Sequence, residues 1–139
     1  MLLRQLQELL AGIYDVPLDC DVREFVTCDR ALLPEPLRDG ATDEQLLVSA
    51  GDDEVAMSLF LDESLLERLE ATDPLAALHG GNVGDFWTAL EGVSHFVCVA
   101  WNARHDRDVS VLELEMQAEI DKYVTSCWLL RRQAPGRFP

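Results

Sequence analysis

The stretch from Asp85 to Ala103, DFWTALEGVSHFVCVAWNA, is the one long segment that is apolar around most of a helical circumference. Wound at about 100° per residue, Phe86, Ala89, Leu90, Val93, Phe96, Val97, Ala100 and Trp101 cover more than half of the cylinder. Thr88, Glu91, His95 and Asn102 fall in one narrow polar stripe. A helix of this kind is buried between neighbours, so the rest of the chain has to cover it on at least two sides. It does not read as a membrane span, which takes about 20 largely uncharged apolar residues, because Glu91 and His95 interrupt it.

Working outward, Ser110 and Glu113 form an S-x-x-E capping box in front of a second long helix, Ser110 to about Arg132. Leu112, Met116, Ile120, Tyr123, Cys127 and Leu130 make one apolar face of it, and Leu114, Ala118, Thr125 and Leu129 make a second, narrower one. The connector RHDRDV is short and charged, which predicts that the two helices fold back as an antiparallel hairpin. Upstream, QLLVSA and EVAMSLFL flank a Gly51-Asp52-Asp53 turn and read as a β-hairpin. Asp62 is placed to cap a helix running from Glu63 to about Ala71. Residues 2 to 14 carry leucines at helical spacing, Gly12 and Pro17 end that helix, and a short strand is expected around Arg23 to Thr27. Asn82 or Asp85 is expected to cap the central helix. The order predicts an α+β fold: a small antiparallel sheet of two to three strands, drawn as a meander, packed by helices and closed by a C-terminal antiparallel helix hairpin. Residues 1–133 read as one domain and 134–139 as a frayed, Pro/Gly-rich tail.

The net charge of −15 is uneven, since residues 1–80 hold 18 acids against 5 bases and residues 81–139 hold 8 against 6. Such an excess repels nucleic-acid phosphates and anionic lipid heads, so neither nucleic acid nor membrane is the expected partner. MLLRQLQELL is broken by Arg4, Gln5, Gln7 and Glu8, which reads as an amphipathic helix rather than an export signal and points to the cytoplasm. Cys20, Cys28, Cys98 and Cys127 form no C-x-x-C pair and read as free thiols.

One constellation carries chemistry: Glu91 and His95 on the central helix, with Glu115 and Glu119 on the next. Each pair is spaced by four, so both members project from one side of their helix, and carboxylates with an imidazole are ligands for zinc, manganese or iron. Three readings stay open: a solvated stripe with Glu91 paired to Lys122, a buried structural histidine, and a metal site. The Glu-x-x-His pair of di-iron bundles and the H-E-x-x-H of metalloproteases are both absent. His95 and Cys98 are one turn apart, but Cys98 lies on the apolar flank and no oxyanion loop accompanies it. Asp19-x-Asp21 opens like a calcium loop, yet Glu24 stands where that loop needs glycine. Gly80 to Gly84 precedes a helix without the lysine of a phosphate loop and reads as a hinge. No catalytic residue and no cofactor is expected.

Binding remains. In size, acidic charge and element order the chain is similar to the secretion chaperones of the type III class; the resemblance rests on outline, and the three consecutive helices at the end depart from it. The expected function is an acidic cytoplasmic protein-interaction module, an adaptor, chaperone or regulator without catalytic activity. Its partner is expected to be another protein with a basic surface, and two-sided helices predict a homodimer. The alternative is a metal-binding protein or metal-dependent enzyme built on the Glu/His cluster.

Overall fold

The apolar run at 86–97 forms the middle of helix α3 (Val83–Arg104) in a computed structural model that describes residues 2–40, 42–50 and 55–137. Phe86, Ala89, Leu90, Val93 and Phe96 are completely buried. They sit among α1 (Leu2–Tyr14), the strands β2 (Glu44–Ala50) and β3 (Val55–Leu61), α2 (Glu63–Ala71) and α4 (Val111–Gln133). The helix is enclosed because its circumference leaves no apolar side chain a better place to go. The fold is α+β, with four α-helices and a three-stranded sheet among the described residues and an α3–α4 hairpin.

The sheet departs from a meander. A two-residue strand β1 (Val26–Thr27) pairs in parallel with β3, and β2 pairs antiparallel on the other side, giving the order β1-β3-β2. β3 is therefore central, which accounts for its SLFL end, where Leu59, Phe60 and Leu61 are all fully buried rather than alternating. Leu59 and Leu61 face the helices. On the other face Phe60 lies under Arg30, whose guanidinium carbon is 5.1 Å from the ring centroid and whose Nη2 donates to Asp62 Oδ1 at 2.7 Å. The same Asp62 caps α2 by accepting from the backbone N–H groups of Ser64 and Leu65, as its position predicts. The hairpin turn at 51–54 lies outside the described residues.

Buried or half-buried amide side chains pin the connecting loops. Gln7 accepts from Val22 N and donates to the Cys20 carbonyl, both at 2.7 Å, tying α1 to the chain before β1. Asn82, only 2% exposed, donates to the carbonyls of Thr72 and Ala77 and accepts from His79 N. Asn82 stands at the N-cap position of α3, but its side chain is spent on the loop behind it and makes no cap bond; Asp85 lies inside the first turn and pairs with Arg68. Gln133, at the end of α4, donates to the Pro74 and Leu75 carbonyls and accepts from Leu78 N.

Helix α4 begins at the predicted capping box, with Ser110 and Glu113 each accepting from the other's backbone N–H. Its orientation differs from the sequence expectation. The narrow face is the inward one, with Ala118, Thr125 and Leu129 buried beside Asp121. Most of the wide face is outside, since Leu112, Met116, Ile120 and Tyr123 are 68, 57, 49 and 74% exposed, while at its end Cys127 is half-buried and Leu130 packs against the core. The reason lies on α3, whose polar positions need partners and find them on the polar side of α4. Trp87 Nε1 donates to Ser126 Oγ (2.9 Å), Lys122 Nζ reaches Glu91 (3.5 Å), Ser94 Oγ donates to Asp121 (2.6 Å) and His95 Nε2 faces Glu115 (3.8 Å). These rungs register the antiparallel pair and turn its larger apolar side to solvent.

The approach of α3 to the sheet is set at Gly92. A Cβ there would stand 3.0 Å from both Glu44 Cγ and Leu59 Cδ1 and 3.3 Å from Leu61 Cδ2, whereas one at Gly84 would meet nothing within 4 Å. Gly92→Val is therefore expected to destabilise the protein by about 2 kcal/mol through overpacking against the buried strand. Gly84→Ala should shift stability by no more than about 0.5 kcal/mol. Urea melts of the two variants check the contrast, and equal effects would show that the helix does not depend on close approach.

Candidate functional site

One turn beyond Gly92, the same close approach carries His95 onto the start of β2. His95 is 6% exposed, which removes the reading of a solvated stripe at this residue. Its Nδ1 lies 3.6 Å from Glu44 Oε2 and its Nε2 lies 3.8 Å from Glu115 Oε1, ion-pair separations rather than hydrogen bonds. His95 Nε2 and Glu44 Oε2 are sealed from solvent and have no hydrogen-bond partner. Burial by itself lowers the imidazole's pKa, but Glu44, then Glu115 and Glu91, outweigh it, so the pKa is raised above the ordinary 6.5.

Three of the four residues singled out in the sequence meet. Glu91, His95 and Glu115 each offer a ligand atom within 4.8 Å of the others. Glu119 does not join them; it turns to Lys122 at 2.9 Å. The expected pairing of Glu91 with Lys122 is present at 3.5 Å, so Lys122 bridges the two glutamates. Glu44 was not anticipated, and its side chain is only 11% exposed. A signal for it exists in the strand alternation, since Glu44 shares the phase of Leu46 and Val48, and an acid in the inward phase of a strand needs a partner.

Glu44, His95 and Glu115 line a groove of about 810 Å³, and Glu91 stands outside its lining. One side is formed by Leu46 and Val48 of β2 and Val55 of β3, the other by Val111 and Leu114 of α4, with Val99 and Ala103 of α3 along the base. β2 is one of the two edge strands of the sheet.

A second polar centre, also not anticipated, occupies the neighbouring flank of α3. Asp121 is 3% exposed and accepts hydrogen bonds from Tyr14 Oη (2.5 Å), Ser94 Oγ (2.6 Å) and Gln117 Nε2 (2.9 Å). Burial, then the bond to Asp121, pushes the Tyr14 phenol well above its ordinary range. Cys98 lines the small cavity beside this centre, on the side away from the groove, and burial raises its thiol pKa, so no activated Cys98–His95 pair forms.

The remaining sequence candidates have structural partners. Asp21 caps a short 3-10 turn and is held at about 2 by its hydrogen bonds from Arg23, and Asp19 pairs with Arg104 at 3.6 Å. His79 Nδ1 accepts from Gly81 N within the glycine-rich approach to α3. No family model, curated protein or solved structure gives a significant match to the chain.

His95→Gln in chelator-treated protein is expected to lower stability by about 1–3 kcal/mol, because it strips the buried Glu44 carboxylate of its counter-charge. Since the folded-state pKa lies above 6.5, this stabilisation is complete below pH 6.5 while the carboxylates stay ionised, and it is lost as pH rises through the folded value. Urea melts of both proteins from about pH 5.5 to about 8.5 should show the gap narrowing with rising pH. A gap that widens would mean that the imidazole is neutral throughout.

Proposed function

We propose that the chain is a small acidic protein-interaction module without catalytic activity, and that the outer face of α4 is where it docks. The observation that supports this most is the exposed row Leu112, Met116, Ile120 and Tyr123, four large apolar side chains on one side of one helix. A row of this kind in water favours burial against a second apolar surface. Met116, Ile120 and Tyr123 are spaced 4 and 3, as on a face that one helix presents to another; farther along, Cys127 is half-buried and Leu130 packs against the chain's own core. The net charge of −15 favours a partner whose flanks are basic. Four free thiols fit a reducing compartment such as the cytoplasm, and among the described residues no helix is long and apolar enough to cross a membrane.

The heptad-like spacing also suits a second copy of the chain, packed through the same face about a two-fold axis. Met116→Asp combined with Ile120→Asp separates these occupants. Both positions are exposed, so the double variant should keep its fold by circular dichroism. Light scattering that gives twice the subunit mass for wild type and one subunit mass for the variant identifies the second copy. A single-subunit mass for both, with one basic protein cross-linked to wild type and missing from the variant, identifies a different partner. Capture that is the same for wild type and variant would overturn α4 as the docking face.

A further inference from the structure

We propose that His95 Nε2, Glu91 and Glu115 form a site for one divalent d-block cation of the zinc class, with Glu44 holding the imidazole from behind. The argument starts from the two ring nitrogens. Nδ1 points at the buried Glu44 carboxylate, and Nε2 points at Glu115, is sealed from solvent and has no hydrogen-bond partner. The 3.6 Å between Nδ1 and Glu44 is an ion-pair separation; closing it by a few tenths of an ångström gives the Nδ1–H to the carboxylate and leaves the Nε2 lone pair for a metal, the arrangement found behind metal-binding histidines. Glu115 Oε1 stands 3.8 Å from Nε2, and Glu91 on the same helix as His95 completes a group in which one ligand atom of each of the three residues lies within 4.8 Å of the others.

The geometry needs only a small contraction. Ligand bonds to zinc of about 2.0–2.2 Å put neighbouring ligand atoms roughly 3.3–3.5 Å apart around the ion. His95 Nε2 and Glu115 Oε1 are already at 3.8 Å, and Glu115, with a side chain 53% exposed, is free to move inward. Lys122 is the competing cation, at 3.5 Å from Glu91, but it has Glu119 closer, at 2.9 Å, and keeps that counter-charge when Glu91 turns to a metal. His95 and Glu115 line the groove, so a fourth position faces the groove, where water or a partner's side chain can enter. Calcium fits poorly, because it takes six to eight oxygens and this site offers a nitrogen and two carboxylates.

Chelator-treated protein is titrated with zinc(II) by calorimetry and native mass spectrometry, and with cobalt(II) as an optical probe. One ion per chain is expected, with binding at least ten-fold weaker in His95→Gln and in Glu115→Gln, and about ten-fold weaker in Glu44→Gln, whose residue acts through the imidazole. Glu115 is exposed, so its variant keeps the test valid if His95→Gln fails to fold. The His95 Nε2 resonance should move on zinc addition while the Nδ1 proton is retained. The Met116→Asp/Ile120→Asp variant should bind zinc like wild type, which separates this site from the docking face. The proposal is overturned by the absence of stoichiometric zinc, by unchanged affinity in Glu115→Gln, or by a thiolate charge-transfer band with cobalt, which would place the ion on a cysteine.

Discussion

The polar flank of α3 has to find partners, and that requirement decides how the two longest helices meet. A buried donor or acceptor left unpaired costs about 1–3 kcal/mol, while a satisfied hydrogen bond contributes only about 0.5–1.5 kcal/mol. Avoiding orphans therefore outranks burying a further apolar row that α3 has no room to receive. Trp87, Glu91 and Ser94 take Ser126, Lys122 and Asp121 in antiparallel order, His95 faces Glu115 at ion-pair distance without a hydrogen bond, and the register leaves Leu112, Met116, Ile120 and Tyr123 outside. The interior of the hairpin and its exposed seam are two consequences of one constraint.

Ser94 and His95 are consecutive but diverge by about 100° on the helix, so α3 carries two separate polar centres. Ser94 joins a neutral set of donors, with Tyr14 and Gln117, around Asp121. His95 joins three carboxylates from three elements, Glu44 of β2, Glu91 of α3 and Glu115 of α4. The first centre closes its hydrogen bonds internally and ties α1 to the hairpin. The second leaves a ring nitrogen and a carboxylate oxygen unpaired at the base of a groove. That difference separates structure from candidate chemistry here, since a fully satisfied network holds the fold together and an unsatisfied one retains capacity to bind.

Gly92 links the centre to the sheet. Without a side chain at that position the helix settles against Leu59 and Leu61, and the next turn sets His95 beside Glu44. The acidic surface acts at longer range and less specifically: it repels polyanions and favours basic partners. The outer α4 row and the His95 cluster share no residue, since α4 gives the cluster only Glu115, so docking and ion binding are open to separate measurement.

Much of the local structure was legible in the residues themselves. The Ser110/Glu113 box, the Asp62 cap, the two strands of the hairpin and the circumferentially apolar α3 depend on neighbours within a few positions, and short-range chemistry determines them. The sequence also drew attention to Glu91, His95 and Glu115, because four-residue spacing places side chains on one side of a helix whatever surrounds it. Only the tertiary structure decided that Glu119 belongs to Lys122, that Glu44 from a distant strand completes the histidine's surroundings, and that Asp121 is buried. It alone placed β1 parallel to β3 and made the narrow face of α4 the inner one. These outcomes turn on which elements compete for the same surface, and that competition is set by close approach and hydrogen-bond satisfaction between residues far apart in the chain, which periodicity along one helix does not encode.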